Sequence, residues 1–358
     1  MIKLLVVDDS ALVRKLLVQV FAAEADFEVE VARDGAEALT QLARFGPDVI
    51  TLDIHMPQMD GLACLDRIML ERPTPVVMVS TLTADGAETT LEALRLGAVD
   101  FVAKPEGAVS LRIHEVASDL VAKVRAAAGA RLSSSHRLKE RVRHRIGGAP
   151  SVPSSAGGGE EDEHAPATGR GVVLVGTSTG GPPALEALLT PLPADFPWPI
   201  LVAQHMPATF TGPLAQRLDR HCAVTVVEVS RPVSLEPGHV YVGRGDADII
   251  VSRRAGDLVA MAAPPLANYP WHPSVDRLVT SAMDHTSATQ IVGILMTGMG
   301  NDGAQAMTRL REQGGRTIAE AEDSAVVWGM PGELVKAGGA DYVESVGEIA
   351  ARLQMLTP

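Results

Sequence analysis

Residues 2–24, IKLLVVDDSALVRKLLVQVFAAE, join a short apolar run to an amphipathic segment through two consecutive aspartates. The run has the length and the Val/Leu content of a buried strand, and the segment after it repeats apolar residues at helical spacing. The same alternation recurs up to about residue 127 and makes five strand–helix repeats. Because each run is too apolar to leave one face in water, we predict a parallel sheet covered by helices on both sides.

A second series of alternating runs starts at VVLVG, residues 172–176, and continues almost to the C-terminus. Between His239 and Met261, closely spaced β-rich runs divided by turn residues predict a small antiparallel excursion. We therefore predict an α/β fold class with two doubly wound parallel-sheet domains, the second of which carries this excursion. The predicted ranges are 1–127 for the first domain, 128–170 for a flexible linker and 171–358 for the second domain.

The linker prediction rests on the stretch GGAPSVPSSAGGGEEDEHAPATG, residues 147–169, which is rich in Gly, Pro, Ser and acidic residues. Its low apolar content cannot offset the entropy lost on ordering. The 358 residues are otherwise enough for two domains that each bury a core.

The net charge and the cysteine content indicate which binding partners and which cellular compartment to expect. The net charge of -13 repels phosphate backbones and anionic membranes, so we expect neither nucleic-acid binding nor membrane insertion. The chain has two cysteines, no signal-peptide pattern and no apolar run of about 18 residues. We expect a cytoplasmic protein, and we expect it to be a monomer.

Five polar residues follow the ends of predicted strands in the first domain: Asp8, Asp9, Asp53, Ser80 and Lys104. In a parallel sheet these ends meet at one edge. Clustered carboxylates repel one another unless a hard cation such as Mg²⁺ is bound. Asp53 could accept a phosphoryl group, with Lys104 neutralising its oxygens and Ser80 bonding the product. One such aspartate would more simply be a helix cap, but the set of five favours a phosphorylation site.

The motifs VVDDS, LDIHMPQMDGL, VVMVSTLT and FVAKP resemble those of the response-regulator receiver family. The resemblance implies that a histidine kinase is the phosphodonor for Asp53. It also implies that Asp8, Asp9 and Asp53 hold Mg²⁺. His55 departs from the pattern, since relatives often carry an acidic residue there, and this bears on metal affinity and the rate of dephosphorylation.

The segment VVLVGTSTGGPPALEALL, residues 172–189, runs from a buried strand through a glycine-rich turn into a helix. Such a turn could cradle a phosphate, but it lacks both a Walker lysine and the G-x-G-x-x-G spacing. Alternatively, the turn could expose Ser178 as a nucleophile. His205 ends the next apolar strand, and Asp302 follows a third, so a base and its orienting acid could reach the same edge. Each residue taken alone would more simply be structural.

The motifs GTSTGG, QHMP, PSVDRL, TGMGNDG and AVVWGMPGE resemble the catalytic domain of chemotaxis protein-glutamate methylesterases. The resemblance implies that Ser178 is the nucleophile, His205 the base and Asp302 its partner. It also implies that the Met299 backbone and Thr179 stabilise the oxyanion. The implied reaction is hydrolysis of glutamate methyl esters, and deamidation of glutamines, on methyl-accepting chemoreceptors, with no cofactor for the esterase.

Together the two resemblances imply a phosphorylation-controlled serine esterase. In this hypothesis the unphosphorylated receiver domain packs over the esterase cleft, and phosphorylation of Asp53 breaks the contact by reorganising the surface near Ser80.

Two other classes of function remain to be weighed. A non-catalytic module could use the S-T-G-G turn only to capture an acidic receptor segment. A transcriptional output domain would need clustered basic residues in the C-terminal half, which has none. His272 and the GRGDAD turn, residues 243–248, could line a substrate cleft, although loop packing explains them more simply.

Overall fold

The computed structural model describes residues 1–81, 83–104, 109–132 and 171–357. Most of the predicted linker, residues 133–170, therefore lies outside the described residues, and so does Pro105.

Five strands alternate with five helices in the N-terminal part of the chain, as predicted. These elements are β1 (Ile2–Val7), α1 (Ala11–Ala22), β2 (Phe27–Ala32), α2 (Gly35–Phe45), β3 (Val49–Asp53), α3 (Gly61–Glu71), β4 (Val76–Thr81), α4 (Ala84–Leu96), β5 (Asp100–Lys104) and α5 (Val109–Ala128). The strands form one parallel sheet in the order β2-β1-β3-β4-β5. The carboxyl ends of β1, β3, β4 and β5 consequently meet at one edge.

A second, seven-stranded parallel sheet organises residues 171–357, in the order β15-β14-β13-β6-β7-β10-β8. Its strands are β6 (Val172–Thr177), β7 (Ile200–Gln204), β8 (Thr225–Val229), β10 (His239–Gly243), β13 (Ile291–Leu295), β14 (Arg316–Glu320) and β15 (Tyr342–Glu344). Its helices are α6 (Gly181–Leu189), α7 (Ala208–His221), α8 (Val275–His285), α9 (Ala304–Glu312), α10 (Met330–Lys336) and α11 (Ile349–Leu356). The fold class is therefore confirmed.

The small antiparallel sheet is present, but its predicted limits were wrong. It consists of β9 (Val233–Ser234), β11 (Asp248–Arg254) and β12 (Asp257–Ala263), in the order β11-β12-β9. The segment His239–Gly243, predicted to begin the excursion, is instead a parallel strand between β7 and β8. Four of its five residues are buried, as expected for a strand inside a covered sheet.

The two halves of the molecule pack directly against each other. Helix α4 of the first sheet contacts α7 of the second. The rings of Phe101 and Phe210 meet across this contact at a centroid distance of 4.3 Å. One cluster of buried apolar side chains runs through both halves, so the contact is a packed interface. Within the described part of the chain, no helix combines the length and apolarity that a membrane span requires.

Candidate active site and phosphorylation site

The turn between β6 and α6 carries Ser178. Gly180 in this turn has φ 78°, a conformation that side chains other than glycine rarely adopt. Gly298, in the loop after β13, approaches so closely that an added Cβ would lie 2.7 Å from the Ser178 Cβ. The Ser178 N–H donates to the Thr297 carbonyl at 3.0 Å. Two glycines and one backbone hydrogen bond therefore hold the Ser178 backbone on a tight strand-to-helix turn.

The His205 imidazole is paired with a carboxylate from a distant loop. The His205 Nε2–H donates to Asp302 Oδ2 at 2.9 Å, and both side chains are more than nine-tenths buried. A carboxylate on Nε2 selects the tautomer in which Nδ1 carries a lone pair. The Trp271 ring stacks on the imidazole with 5.8 Å between centroids and 4° between planes. The histidine is therefore oriented from its edge and from one face.

The Asp302 carboxylate lies at the N-terminus of α8. It accepts hydrogen bonds from the backbone N–H groups of Val275 at 2.7 Å and Asp276 at 3.0 Å, and from the Ser274 hydroxyl at 3.1 Å. Burial acts to raise the pKa of Asp302, but the His205 contact and these N–H donors together lower it below its ordinary value. Asp302 is therefore ionised and able to stabilise a charged imidazolium.

Ser178 and His205 are neighbours across the sheet. Thr177 and Gln204, the last residues of β6 and β7, pair in register. Ser178 and His205 therefore follow at neighbouring positions on the same edge. The Gln204 side-chain N–H group donates to the Ser178 carbonyl at 2.9 Å and ties the two ends together. Within the described residues, no hydrogen bond joins the Ser178 hydroxyl to the imidazole, and His205 Nδ1 is buried without a partner. The structure thus joins two of the three predicted groups directly.

The two predicted oxyanion groups have different surroundings. Met299 lies half-buried in the loop after β13, and the described residues offer its N–H no acceptor. Thr179 is buried, and its hydroxyl donates to Asp100 Oδ2 at 2.5 Å. Asp100 belongs to β5 of the first sheet, so a side chain from the other half of the molecule engages the turn that carries Ser178.

The first predicted site lies at the carboxyl edge of the N-terminal sheet. Oxygens of Asp8, Asp9 and Asp53 lie within 4.8 Å of one another. Lys104 Nζ is 2.9 Å from Asp8 Oδ2 and 2.8 Å from Asp53 Oδ1. Apart from this ion pair, the buried Asp8 Oδ2 has no partner among the described residues. These oxygen donors fit a hard divalent cation such as Mg²⁺. His55 lies exposed two residues after Asp53.

Burial and the neighbouring charges set the pKa values at this site in opposition to each other. It raises the pKa of the Asp53 carboxyl, and the Lys104 ammonium offsets part of that rise. Burial alone would lower the pKa of Lys104, but the Asp53 and Asp8 carboxylates raise it. Lys104 is therefore a fixed positive charge.

Ser80 is buried on β4 and is linked to a helix. The hydroxyls of Ser80 and of Thr90 on α4 are hydrogen-bonded at 2.8 Å, and the Thr90 hydroxyl also donates to the Gly86 carbonyl at 2.6 Å. The carboxyl edge that holds Asp8, Asp53 and Lys104 is the predicted phosphorylation edge. Because α4 packs against α7 of the other half, the bond between Ser80 and Thr90 connects that edge to the interface.

Several residues of the active site were not predicted from the sequence. Gln204, Ser274 and Trp271 orient the predicted groups. Gln204 and Ser274 lie within the motifs QHMP and PSVDRL, whereas Trp271 lies outside both. The His272 Nδ1–H donates to Asp248 Oδ1 at 2.9 Å, and Asp248 Oδ1 also accepts the Ser274 N–H at 2.7 Å. His272 thus supports the loop that begins α8, which agrees with its interpretation as loop packing.

The chain is similar to known proteins in both of its halves. The family model "CheB methylesterase" matches residues 173–353, and the model "Response regulator receiver domain" matches residues 4–114. A curated protein of Rhodopseudomonas palustris (strain BisB18), named protein-glutamate methylesterase/protein-glutamine glutaminase 2, is 58% identical over 98% of this chain and 97% of its own length.

The chain belongs to the CheB methylesterase family.

A second relative of this family, protein-glutamate methylesterase/protein-glutamine glutaminase 3 of Rhodospirillum rubrum, is 50% identical over 99% of this chain and 95% of its own length. The crystal structure of the Thermotoga maritima CheB methylesterase catalytic domain superposes with a TM-score of 0.51 at 34% identity and covers 53% of this chain and all of that domain. The likeness to CheB proteins thus spans both halves of the sequence, and the predicted family is confirmed.

Proposed function

We propose that Ser178, His205 and Asp302 carry out the reaction of this protein-glutamate methylesterase and protein-glutamine glutaminase. The Ser178 oxygen attacks the ester carbonyl of a methylated glutamate while His205 Nδ1 accepts the hydroxyl proton. The resulting oxyanion is stabilised by the Met299 N–H and by Thr179. The carbon–oxygen bond to the methoxy group then breaks, and His205 returns the proton so that methanol leaves.

Hydrolysis of the acyl-enzyme completes the cycle. Water attacks the Ser178 ester while His205 accepts its proton, and the carboxyl group of glutamate is released as Ser178 regains its hydrogen. A glutamine side chain follows the same steps with ammonia as the leaving group. Throughout, Asp302 holds the imidazole in one tautomer and stabilises its charged form.

The observation that supports this mechanism most strongly is the state of the two His205 nitrogens. Nε2 is bonded to a carboxylate at 2.9 Å, whereas Nδ1 is buried and has no partner among the described residues, beside the turn that carries Ser178. Catalytic hydrogen bonds are often long or poorly aligned before substrate binds. The missing bond at Nδ1 is therefore compatible with a base that bonds the Ser178 hydroxyl only in the substrate complex.

The proposal is tested by methanol release from a methylated chemoreceptor fragment and ammonia release from its glutamine form. We expect Ser178→Ala to abolish both. The matched control is Ser281→Ala, which removes a serine hydroxyl on α8. That hydroxyl donates to the Leu278 carbonyl at 2.9 Å. Receptor binding with no turnover by the wild-type protein would instead favour the non-catalytic binding module.

The proposal assigns phosphorylation by a histidine kinase to Asp53. Mg²⁺, held by Asp8, Asp9 and Asp53, would supply charge neutralisation during phosphoryl transfer. Lys104 adds a fixed positive charge at 2.8 Å from the Asp53 carboxylate. If Ser80 bonded the phosphoryl group, its present hydrogen bond to Thr90 would be lost. This loss would disturb α4 at the interface.

Inhibition by the receiver domain is assigned to the contact between Asp100 and Thr179. A carboxylate bonded to the Thr179 hydroxyl withdraws one oxyanion donor and places negative charge where more negative charge must develop. Movement of α4 and β5 after phosphorylation would release that hydroxyl.

The remaining parts of the proposal concern organisation and context. The receiver domain would span residues 1–127, the linker 128–170 and the catalytic domain 171–358. The substrates would be methyl-accepting chemoreceptors, and the protein would act as a cytoplasmic monomer. A reducing compartment agrees with the free thiols of Cys64 and Cys222.

A further inference from the structure

The loop Thr297–Gly300, after β13, packs against the turn that carries Ser178. The Thr297 carbonyl accepts the Ser178 N–H at 3.0 Å. The Thr297 hydroxyl donates to the Thr179 carbonyl at 2.9 Å and accepts the Val327 N–H at 3.0 Å. Thr297 is therefore bonded to the turn at two places, the Ser178 N–H and the Thr179 carbonyl.

The remaining polar group of Thr297, its backbone N–H, donates to Glu320 Oε2 at 2.7 Å. Glu320 ends β14, the strand beside β13, and its side chain is almost fully buried. Its second oxygen, Oε1, accepts the Ser324 hydroxyl at 3.0 Å. No cation pairs with Glu320 within the described residues. A buried carboxyl group without an ion-pair partner is costly, so its position calls for a role.

We propose that Glu320 is a positioning residue of the esterase, which fixes the loop Thr297–Gly300 through the Thr297 N–H and thereby places Ser178 and the Met299 N–H. Glu320 acts through Thr297 and does not contact the substrate. The inference rests on the proposed function of Ser178, and it adds a residue to that site from the strand beyond β13.

Two substitutions separate this role from a general contribution to folding. In Glu320→Gln, the amide oxygen can still accept the Thr297 N–H in a side chain of the same size. In Glu320→Ala, that N–H loses its acceptor in a buried place, and the loop is free to shift. The matched control is Thr317→Val on the same strand, because the bonds of the Thr317 hydroxyl within the described part of the chain go to Gly339 and Asp341, away from Thr297.

The experiment measures two quantities on the full-length variants. One is methanol release from a methylated chemoreceptor fragment, resolved into kcat and KM. The other is the amide hydrogen exchange of the peptides that cover residues 172–180 and 295–301. This second readout needs no catalysis.

For Glu320→Ala we expect kcat to fall at least tenfold, with KM changed less than threefold, and exchange in the two peptides to rise at least tenfold. Glu320→Gln should match the wild-type protein in both. Thr317→Val should lower the melting temperature without changing exchange in these peptides.

Wild-type exchange in both peptides of Glu320→Ala would overturn the inference, and so would an equal loss of kcat in the Gln and Ala variants. Undiminished methanol release by Ser178→Ala would instead refute the proposed function. The exchange data would still decide the role of Glu320 in that case.

Discussion

The two nitrogens of His205 divide the chemistry of the site at the residue scale. Nε2 is bonded to Asp302 at 2.9 Å, so Nδ1 carries the lone pair that the proposed mechanism uses as its proton acceptor. Asp302 in turn depends on three donors at the start of α8, so its charge is stabilised independently of the histidine. The imidazole is therefore held ready in one tautomer before any substrate arrives.

Replacing the carboxylate should expose this dependence. We expect Asp302→Asn to lower kcat by about 10³- to 10⁴-fold, because an amide can place its N–H group toward Nε2 and stabilise the wrong tautomer. Its neighbour Asp276 provides the control: Asp276→Asn keeps the backbone N–H donated to Asp302 and should change kcat less than about threefold. Steady-state methanol release measures both, and equal kcat values for the two variants would contradict the assignment.

Glu320 gives a prediction about pH and stability. Burial raises the pKa of Glu320 to about 7 from 4.5, and hydrogen bonds from Thr297 and Ser324 offset part of the rise. Asp323 adds repulsion, whereas Glu322 and Glu344 in the adjoining segments are paired with Arg131 and Arg352. Because the folded-state pKa is raised, the contribution of this carboxyl group to stability is fully present below pH 4.5 and is lost as the pH rises through 7.

A side chain that cannot ionise should remove this loss. We expect the melting temperature of Glu320→Gln, relative to the wild-type protein, to rise between pH 5 and pH 8, by an amount equivalent to at most about 3 kcal/mol. Thermal unfolding across that range measures the difference. A difference that stays constant with pH would show that Glu320 does not titrate there.

The residues of the mechanism differ in how far the sequence could identify them. Ser178 and His205 were predictable because each is a reactive side chain directly after an apolar strand, and Asp302 because it lies in the loop that follows a third. Glu320 also ends a strand, but β14 was not predicted, and its role depends on the pairing of β13 with β14. Trp271 was missed because stacking on His205 requires a loop whose path the local sequence does not specify.

At the scale of elements, β5 joins the two functions. It ends in Lys104 at the phosphorylation edge and begins with Asp100 at the esterase turn. Helix α4 beside it carries Thr90 toward Ser80 and packs on α7. A change at one end of this pair of elements therefore has a short physical path to the other.

Removing the Asp100 side chain should release part of the inhibition. We expect Asp100→Ala to raise the turnover of the unphosphorylated protein about tenfold or more, since a charge-assisted hydrogen bond of this kind contributes about 1.5–3 kcal/mol. Asp119→Ala is the control, because Lys123 on α5 pairs with both Asp100, at 3.6 Å, and Asp119, at 3.8 Å, and Asp119 is exposed. If both variants kept the wild-type rate without phosphodonor, inhibition would have to act through another contact.

The parallel order of the sheets was predictable from their apolar strands, but the limits of the antiparallel sheet were not. His239–Gly243 reads locally like the β-rich runs that follow it. Whether such a run joins a parallel or an antiparallel sheet depends on its partners, here Ile200–Val202 and Thr225–Val229, which lie elsewhere in the sequence.

The described part of the molecule combines two parallel sheets, one small antiparallel sheet, two chemical sites and one packed interface. Two ion pairs also cross this interface. Arg217 lies 3.4 Å from Glu92, and Arg131 lies 2.8 Å from Glu322. Such pairs contribute little individually when exposed, so the apolar contacts and the Asp100–Thr179 bond carry most of the closure. This composition suits the proposed opening of the interface on phosphorylation.

The acyl-enzyme on Ser178 offers the most direct test of the account. The full-length protein, with a small-molecule phosphodonor and Mg²⁺, is mixed with methylated chemoreceptor peptide, quenched in acid during turnover and analysed by peptide mass spectrometry. We predict that the substrate mass, less methanol, is found on Ser178, that its amount rises with the phosphodonor, and that it is absent from Ser178→Ala. Substrate attached to another residue, or full methanol release without any adduct by the Ser178→Ala variant, would contradict the account.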